Sequence, residues 1–570
     1  MKVSDYIVSF LIEKGITDVF GYPGGMVTYL MDSLSMQSGK IRAHVCYHEQ
    51  GASFAACGYA QISLRLGVSY ATSGPGVTNL ATGIANSYFD SCPTMFITGQ
   101  VNTNEEKGCL LVRQRGFQEM DVVAFATSIT KYCVKIDNAD DIRYHLEKAH
   151  ALATSGRPGP VVLDIPIDIQ RTEIEPDSLR AFEGLPSCSH CSALSVKEVI
   201  YNALKTAERP CIIVGAGVNS SGMGQLFSKW VENIKVPVVC SMLAVDALPN
   251  SLYNYGFIGA YGLRHANFIL AKSDLIISLG SRLDLRQTGA EKKNFAKNAK
   301  LIRIDIDSNE LAYKIKEDEQ GFQIDLKELL PVLSDDISPT RDFSKWINVC
   351  KEIYCKLKYM DDQEANLVVR KLSNWIDPDA VITTDVGQNQ VWVAQSFVSK
   401  GQRVLFSGGH GSMGYSLPAA IGAYYGSGGK KVISFNGDGG IQMNIQELQF
   451  IAREQIPVKI ILLNNNALGM IRHFQEMYFE SNYVHTKEYG GYVVPDFAAI
   501  STAYNIPYIR VQGVEALDTI RPYLENSDPA FVEITLEDDT YVYPKLAMGK
   551  LNEDQEPLLD RETFNYISNL

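Results

Sequence analysis

The chain has 570 residues, which is too long for a single hydrophobic core, and its length predicts three or four domains. Its composition, 46% apolar and 21% charged with 45 glycines, is typical of a soluble α/β enzyme. A net charge of −13 argues against a nucleic-acid-binding surface, and no apolar run reaches the roughly 18 residues that a membrane span requires.

The N-terminal stretch predicts an amphipathic helix rather than a signal or transit segment, because Ser9, Glu13 and Lys14 interrupt its apolar residues. Eleven cysteines without such a segment predict reduced thiols and a cytoplasmic location. The CxxC pair Cys188–Cys191 lies in a polar stretch with no second pair or fourth ligand nearby. We therefore interpret these cysteines as linker residues rather than zinc ligands.

Strands alternate with helices in three blocks, which are joined by polar linkers near residues 171–192 and 334–341. We predict an α/β fold with three doubly wound parallel-sheet domains. The predicted domains are 1–175, 190–335 and 345–545, followed by a polar tail, 546–570. The charged segment Lys316–Glu319 is predicted to lie on the surface.

In the first block, glycines and polar residues follow the predicted strands. Phe20–Gly25 is a glycine-containing turn, and Thr72–Asn79 is a strand-to-helix loop rich in hydrogen-bond donors. Glu49 follows the predicted strand His44–Tyr47 and begins a helix of small residues. Taken alone, Glu49 is either a solvated helix-start residue, favoured there by the helix dipole, or a carboxyl group held in a buried pocket.

In the second block, glycine-rich or acidic turns follow three predicted strands. They are Val214–Gly217, Gly280–Gly289 and Ile304–Asp307. Such a turn is weak evidence for a nucleotide site when it stands alone.

The third block contains the most informative spacing. Asp438 follows the apolar run Val432–Phe435. Asn465 lies 27 positions after Asp438 and follows a second apolar run, Val458–Leu463. A right-handed βαβ unit of this length brings both strand ends to one edge of a parallel sheet. An aspartate, an amide and a nearby carbonyl there suit Mg²⁺, and the small residues Gly439 and Gly440 would let a diphosphate approach the backbone.

Together these motifs resemble the acetohydroxyacid synthase (acetolactate synthase) large-subunit family of thiamine diphosphate enzymes. The resemblance spans nearly the whole chain and follows the family's order. The motifs that carry it are Tyr22–Gly25, His48–Gln50, Ser73–Gly76, Phe117–Glu119, Asp385–Gln388, Ser407–Gly409, Gly411–Gly414, Pro418–Ala420 and the Asp438/Asn465 pair.

The resemblance implies a decarboxylating carboligase, which joins the hydroxyethyl unit of pyruvate to a second 2-oxoacid and belongs to branched-chain amino acid biosynthesis. It implies that Glu49 bonds to the aminopyrimidine of thiamine diphosphate and that Met413 supports the bent cofactor. Gln118 is the third implied catalytic residue. Implied contacts of the cofactor are Tyr22, Pro23, Gly24, Ser73, Gly74, Asn79, Gly387, Gln388, Asn389, Gly411, Ser412, Gly437, Gly439, Gly440 and Met470. Asp438, Asn465 and the Ala467 carbonyl are the implied Mg²⁺ ligands.

The turns of the second block resemble the flavin-binding segment of the FAD-containing synthases. The implied FAD contacts are Gly215, Ala216, Gly217, Gly280, Ser281, Arg282, Asp305 and Ile306. Arg286 aligns with an arginine that binds the carboxylate of the acceptor, and Phe117 and Phe474 complete the implied substrate residues. The alternatives for Arg286 are a surface arginine or a flavin-phosphate contact.

Departures from the family pattern cluster around the implied acceptor pocket. Phe474 replaces a tryptophan, Leu285 replaces an aspartate, and Gly259–Gly262 replaces the usual glycine-methionine-histidine-glycine. Asn389 stands where histidine is usual. These changes leave two alternatives open: a carboligase acting on a keto-sugar nucleotide, and a 2-oxoacid decarboxylase or oxidase.

The resemblance also implies a homodimer or homotetramer, because the glutamate and the metal site of one centre come from different subunits in this family. A small regulatory subunit is a further implied partner, whereas neither nucleic acid nor membrane is expected. A catalytically silent protein on the same fold is disfavoured, since Glu49, Asp438 and Asn465 are all present.

Overall fold

The computed structural model describes residues 1–185, 191–335, 341–547 and 549–570. It contains three six-stranded sheets, and the paired strands of each sheet run parallel. Helices connect the strands, which confirms the predicted α/β fold with three doubly wound parallel sheets. Of the predicted CxxC pair, Cys188 lies outside the described residues, and so do Ser189 and His190.

The first sheet is built from strands β1–β6. Their bounds are β1 Asp18–Gly21, β2 Arg42–Val45, β3 Gly67–Ala71, β4 Thr94–Gln100, β5 Tyr132–Lys135 and β6 Pro160–Pro166. The accompanying α-helices are α1 Val3–Glu13, α2 Thr28–Met36, α3 Glu49–Ser63, α4 Pro75–Phe89, α5 Val122–Ala126, α6 Ile142–Thr154 and α7 Ile167–Arg171. The order across the sheet is β2-β1-β3-β4-β6-β5.

The middle sheet is built from strands β7–β12. Their bounds are β7 Pro210–Val214, β8 Val238–Cys240, β9 Asn254–Phe257, β10 Leu275–Leu279, β11 Lys300–Asp305 and β12 Gln320–Gln323. The accompanying α-helices are α8 Ala193–Thr206, α9 Ala216–Ser220, α10 Gly224–Ile234, α11 Arg264–Lys272, α12 Leu285–Thr288, α13 Ser308–Ala312 and α14 Leu326–Ser334. The order is β12-β11-β10-β7-β8-β9, which reverses between β7 and β10.

The third sheet repeats the strand order of the first. Its strands are β13 Val381–Thr384, β14 Arg403–Leu405, β15 Val432–Gly437, β16 Val458–Asn464, β17 Tyr508–Gln512 and β18 Ala530–Thr535, in the order β14-β13-β15-β16-β18-β17. The α-helices of this region are α15 Ser344–Leu357, α16 Glu364–Trp375, α17 Gln388–Ser396, α18 Ser416–Gly426, α19 Leu448–Glu454, α20 Gly469–Tyr478, α21 Phe497–Ala503 and α22 Arg521–Glu525.

The first and third sheets contact each other through α3 and α18, whose backbones approach closely at glycines. A Cβ atom on Gly422 would lie 1.8 Å from the Ala55 carbonyl oxygen, and one on Gly58 would lie 2.3 Å from that of Ala419. Only a hydrogen atom fits at these points, so the two glycines permit the packing. The packing fixes the start of α3, which carries Glu49, relative to the third sheet.

Strand β2 ends two residues before the predicted end at Tyr47. The backbone N–H of Tyr47 donates to Glu447 Oε1 at 2.9 Å rather than to a neighbouring strand. Glu447 is buried in a 3-10 helix, Ile441–Glu447, which follows the predicted metal segment. A carboxylate from a distant part of the chain therefore ends the strand.

The predicted surface position of Lys316–Glu319 is wrong for Glu319. Its side chain is 0% exposed and forms an ion pair of 2.9 Å with Arg303, which is 1% exposed. Glu319 Oε2 also accepts the backbone N–H groups of Ile315 and Lys316. The charge pattern suggested solvent exposure, but a buried arginine on β11 requires this carboxylate.

The C-terminal tail is more ordered than its weak periodicity suggested. It ends in α23, Arg561–Asn569, and Phe564 packs edge to face on Phe268 of α11 with ring centroids 5.5 Å apart. Buried Arg264 donates to the Pro557 carbonyl oxygen at 3.0 Å. The tail thus packs on the middle sheet region. Among the described residues, no helix is long and apolar enough to cross a membrane.

Candidate functional site

Glu49 is the first residue of α3 and is 8% exposed. Asn79 of α4 donates from Nδ2 to Glu49 Oε2 at 2.9 Å and so orients the carboxylate. A Cβ atom on Gly76 would lie 3.5 Å from Glu49 Oε1, an ordinary contact distance, so this glycine borders the second oxygen. Of the two alternatives drawn from the sequence, the structure therefore favours the buried carboxyl group.

The loop that carries Gln118 packs against Gly74, just before the start of α4. Gln118 has a left-handed backbone with φ of 65°, and a Cβ atom on Gly74 would lie 2.9 Å from its carbonyl oxygen. The loop is fixed by Glu119, whose carboxylate accepts backbone N–H groups at 2.7–3.1 Å. The three donors are Lys107, Arg115 and Gly116. Phe117, in contrast, is 78% exposed.

The turn Tyr22–Gly24 lies beside the loop Thr72–Asn79. A Cβ atom on Gly24 would overlap the side chain of Thr72, at 2.4 Å from its Cβ. The neighbouring Ser73 is fully buried, and its hydroxyl has no hydrogen-bond partner among the described residues. An unpartnered buried hydroxyl next to Glu49 and Gly74 is available for a ligand.

A second cluster forms around Asp438, where β15 and β16 end side by side. Asp438 is 2% exposed; its Oδ1 accepts the hydroxyl of Tyr492 at 2.7 Å, and its Oδ2 accepts the Ala467 N–H at 3.3 Å. Burial raises the pKa of Asp438 to about 6. Asn465 donates from Nδ2 to Gln388 Oε1 at 2.9 Å, which leaves its Oδ1 for another partner.

The residues at the start of α17 also belong to the Asp438 cluster, because α17 follows β13, the strand that pairs with β15. Gly387 has φ of 128°, a backbone conformation that suits glycine, and precedes Gln388 and Asn389. A Cβ atom on Gly437 would lie 3.2 Å from Asn389 Nδ2. Gly469, next to Met470, packs so closely on Gln388 that a Cβ atom would lie 1.7 Å from Oε1.

The segment 411–414 also borders the Asp438 cluster. Asp385 accepts the Gly414 N–H at 2.9 Å, and a Cβ atom on Gly440 would lie 2.5 Å from Asp385 Oδ2. Burial raises the pKa of Asp385 to about 7. A Cβ atom on Gly439 would lie 3.3 Å from Met413 Cε, which places this methionine at the Asp438 cluster.

Two further residues of this segment have different surroundings. A Cβ atom on Gly411 would meet no atom within 4 Å. Ser412 is 6% exposed, and its N–H donates to Ser407 Oγ at 2.9 Å. The backbone at Gly411 therefore faces open space, whereas Ser412 is held within the protein.

The polar groups of the Asp438 cluster fit Mg²⁺ and a diphosphate. One carboxylate, one amide oxygen and one backbone carbonyl suit a hard cation that retains phosphate oxygens as ligands. The described residues contain no group of three or more His, Cys, Asp or Glu side chains able to hold a metal, and the predicted set requires only one such side chain, Asp438. Glycine backbone at Gly439 and Gly411 would let phosphate oxygens approach.

A cavity of about 450 Å³ lies at the point where the order of the middle sheet reverses, and its volume is typical of a ligand site. Seven of the eight predicted FAD contacts line it: Ala216, Gly217, Gly280, Ser281, Arg282, Asp305 and Ile306. Gly215 instead joins the two turns, because a Cβ atom there would lie 2.2 Å from the Gly280 carbonyl oxygen. Arg286 also lines the cavity.

Sequence reasoning missed several residues that complete this cavity. Asp90 receives the N–H groups of Gly408 and Gly409 at 3.1 and 2.6 Å, and Arg157 forms a 2.6 Å ion pair with Glu310. These residues come from all three sheet regions. No local motif could identify them, although Arg157 stands in a glycine- and proline-bearing turn just before β6.

The predicted residues thus form three groups within one chain. No hydrogen bond among the described residues joins Glu49 to Asp438 or Met413. Phe474, on α20, is 41% exposed and packs on Tyr478 with tilted rings, whose centroids are 4.7 Å apart.

Sequence comparison identifies all three regions. Residues 1–125 match the thiamine pyrophosphate enzyme N-terminal TPP binding domain, residues 198–333 match the central domain, and residues 385–534 match the C-terminal TPP binding domain. The chain is 36% identical over 564 residues to the acetolactate synthase large subunit of Lactococcus lactis, covering 97% of this chain and 95% of that protein.

Two further relatives match this chain over a similar length. The acetolactate synthase large subunit of Corynebacterium glutamicum is 37% identical over 98% of this chain and 90% of its own length. The acetolactate synthase isozyme 2 large subunit of Escherichia coli is 33% identical over 97% of this chain and 99% of its own length. The chain therefore belongs to the thiamine pyrophosphate enzymes and, within them, to the acetolactate synthase large-subunit family.

Proposed function

We propose that the protein is the catalytic subunit of a thiamine diphosphate-dependent acetolactate synthase, which joins the two-carbon unit of pyruvate to a second 2-oxoacid. The observation that carries this proposal is the Asp438–Asn465 pair at adjacent strand ends, in a chain similar over its full length to acetolactate synthase large subunits. The keto-sugar and decarboxylase alternatives are not favoured by these relatives.

Glu49 is proposed as the residue that exchanges a proton or hydrogen bond with the aminopyrimidine of the cofactor. Its carboxylate is buried, accepts a hydrogen bond from Asn79 at Oε2 and borders Gly76 at Oε1. The cofactor supplies the electron sink that accepts the electron pair released when a 2-oxoacid loses CO₂. Gln118, in the same cluster, is positioned to contact the substrate. Tyr22, Pro23, Gly24, Ser73 and Gly74 shape the surrounding wall.

Asp438, Asn465 and the Ala467 carbonyl are proposed to hold Mg²⁺. Asn465 already directs its amide N–H toward Gln388, so its oxygen is free to coordinate. Met413 would support the bent cofactor from its position beside Gly439. The proposed diphosphate contacts are Gly387, Gln388, Asn389, Gly411, Ser412, Gly437, Gly439, Gly440 and Met470.

FAD is proposed to occupy the middle cavity. The lining offers Arg157, Arg282 and Lys327 for phosphate groups and Asp305 for a ribose hydroxyl. Arg286 lies on the same wall and is proposed to bind the acceptor carboxylate, with Phe117 and Phe474 as further substrate contacts. The fork of a guanidinium group suits a carboxylate, which supports this role.

The active form is proposed to be a homodimer or homotetramer, in which Glu49 of one subunit and Asp438 of another serve one cofactor. The family name "large subunit" carried by the relatives supports a small regulatory subunit as a further partner. A cytoplasmic location is part of the proposal, because the ten cysteines in the described residues are all free thiols.

The test is product analysis by mass spectrometry after incubation with pyruvate, thiamine diphosphate, Mg²⁺ and FAD. We expect 2-acetolactate and CO₂ from two pyruvate molecules, with no product when thiamine diphosphate is omitted. Accumulation of acetaldehyde or acetyl phosphate without acetolactate would instead indicate a decarboxylase or oxidase.

A further inference from the structure

Lys545 is a buried lysine, and burial lowers the pKa of its ammonium group. It is 7% exposed, and in the described part of the chain its ammonium group has no hydrogen bond or ion pair. Its Nζ lies 6.0 Å from the centroid of the Phe474 ring. A buried ammonium group without a counter-ion is costly, so a ligand that supplies negative charge would stabilise it.

Glu476, the carboxylate whose charge raises the pKa of Lys545, is already engaged by other groups. Glu476 forms an ion pair of 3.4 Å with Arg472 and accepts the Tyr483 hydroxyl at 2.8 Å. His473 also faces Lys545, and burial lowers the pKa of this histidine to about 4, so that it is neutral near pH 7. Neither residue can therefore neutralise Lys545 fully.

Backbone hydrogen bonds connect this lysine to the predicted acceptor-binding arginine. The N–H of Leu546, the next residue, donates to the Ala260 carbonyl oxygen at 2.7 Å, and the Ala260 N–H donates to the Arg286 carbonyl oxygen at 2.8 Å. Lys545 and Arg286 are thus fixed on adjacent segments. Ala260 is also one of the residues that depart from the family pattern.

Aromatic residues lie near both cations. The Phe474 ring packs near Tyr478, with centroids 4.7 Å apart. Burial raises the pKa of Tyr261, and the same phenol lies near enough to Arg286 and Tyr478 to be influenced by both. We call Arg286, Tyr261, Tyr478, Phe474 and Lys545 together the two-cation wall.

We propose that the two-cation wall binds an acceptor 2-oxoacid with a second, distal carboxylate, which pairs with Lys545 while Arg286 takes the carboxylate beside the keto group. This inference rests on the proposed function. A monocarboxylic acceptor such as pyruvate would leave Lys545 uncompensated, whereas a dicarboxylic one satisfies both cations.

The chemistry needs no additional reactant. The bond between C1 and C2 of the pyruvate donor breaks, and CO₂ leaves. The electron pair of that bond forms the new bond to the carbonyl carbon of the acceptor, whose oxygen takes up a proton. With 2-oxoglutarate the product is 2-acetyl-2-hydroxyglutarate.

The experiment is a competition between two acceptors of equal carbon number. The full-length protein, loaded with thiamine diphosphate, Mg²⁺ and FAD, receives pyruvate with equal concentrations of 2-oxoglutarate and 2-oxopentanoate, which differ in the distal carboxylate. We expect the mixed product of 2-oxoglutarate to exceed that of 2-oxopentanoate by about tenfold or more. Lys545→Met should reduce this ratio at least about tenfold, whereas Lys545→Arg should preserve most of it.

Lys550→Met is the matched control, because Lys550 is an exposed lysine of the same tail and should leave the ratio unchanged. Acetolactate formation without a preference for 2-oxoglutarate in the wild-type protein would overturn the second-carboxylate proposal, whatever the behaviour of the variants. Absence of any carbon–carbon product, acetolactate included, would instead overturn the proposed function.

Discussion

The hydroxyl of Tyr492 donates a 2.7 Å hydrogen bond to Oδ1 of Asp438, the predicted metal ligand. Tyr492 lies on the segment between α20 and α21, where Tyr489 and Val493 are 74% and 66% exposed. Its hydroxyl lies 3.3 Å from the position of a Cβ atom on Gly439, so it reaches the same space as Met413. One phenol therefore links a partly exposed segment to the predicted metal site.

Tyr492→Phe should weaken Mg²⁺ binding by about tenfold, because residues that orient a metal ligand typically contribute about 10–100-fold in affinity. Isothermal titration of Mg²⁺ in the presence of thiamine diphosphate measures this without turnover. The matched control is Tyr489→Phe, on the same segment but exposed. Equal Mg²⁺ affinity in Tyr492→Phe and wild type would show that the phenol does not support Asp438.

A second prediction concerns the two half-sites. If Glu49 and Asp438 of different subunits serve one cofactor, inactive Glu49→Gln and Asp438→Asn variants should complement each other when subunits are exchanged. Random exchange makes half of the dimers mixed, and each mixed dimer keeps one intact site, so about one quarter of the wild-type activity should return. No recovery after demonstrated subunit exchange would place both residues in a site formed by a single subunit.

The packing of α3 on α18 gives a stability prediction. Gly422→Ala should lower stability by about 1–3 kcal/mol or more, because its methyl group would lie 1.8 Å from the Ala55 carbonyl oxygen and must displace backbone. Thermal melting followed by circular dichroism should show a lower Tm. Gly224→Ala is the control, since its methyl group would meet no atom within 4 Å. Identical melting of both variants would contradict the close approach.

The buried ion pair between Arg303 and Glu319 gives a second prediction about stability. Glu319→Leu should destabilise the protein by about 3–5 kcal/mol, because it leaves a buried guanidinium group without its carboxylate. Adding Arg303→Met should restore much of this loss. Glu525→Ala, which removes half of the exposed pair with Arg521, should change stability by less than about 1 kcal/mol. Unfolding by urea compares the variants, and a negligible loss in Glu319→Leu would contradict burial of the pair.

The sequence predicted features in which a local motif and the sheet topology act together. Asp438 and Asn465 end two consecutive strands, so the parallel crossover alone brings them together. The local pattern left the burial of Glu49 open and only the family resemblance implied its role, because its hydrogen-bond partner Asn79 lies on another helix. Tyr492 was missed because it enters the Asp438 cluster from a segment without a recognisable motif.

Burial of charge was the least predictable feature. Lys316–Glu319 has the composition of a surface segment, and only the position of Arg303 on β11 shows that Glu319 must face inward. The packing of the polar tail was also not predictable, since the contact of Phe564 with Phe268 and the hydrogen bonds of Arg264 depend on tertiary structure. The domain bounds drawn from composition remain predictions.

Glu49 is proposed to activate a bound thiamine diphosphate for carboligation. The most direct measurement combines thiamine diphosphate affinity with the rate of acetolactate formation in Glu49→Gln. We predict an affinity within a few-fold of the wild-type value and a rate at least about 100-fold lower, as expected for loss of a general acid–base group. A variant that binds the cofactor and forms acetolactate at the wild-type rate would contradict the account.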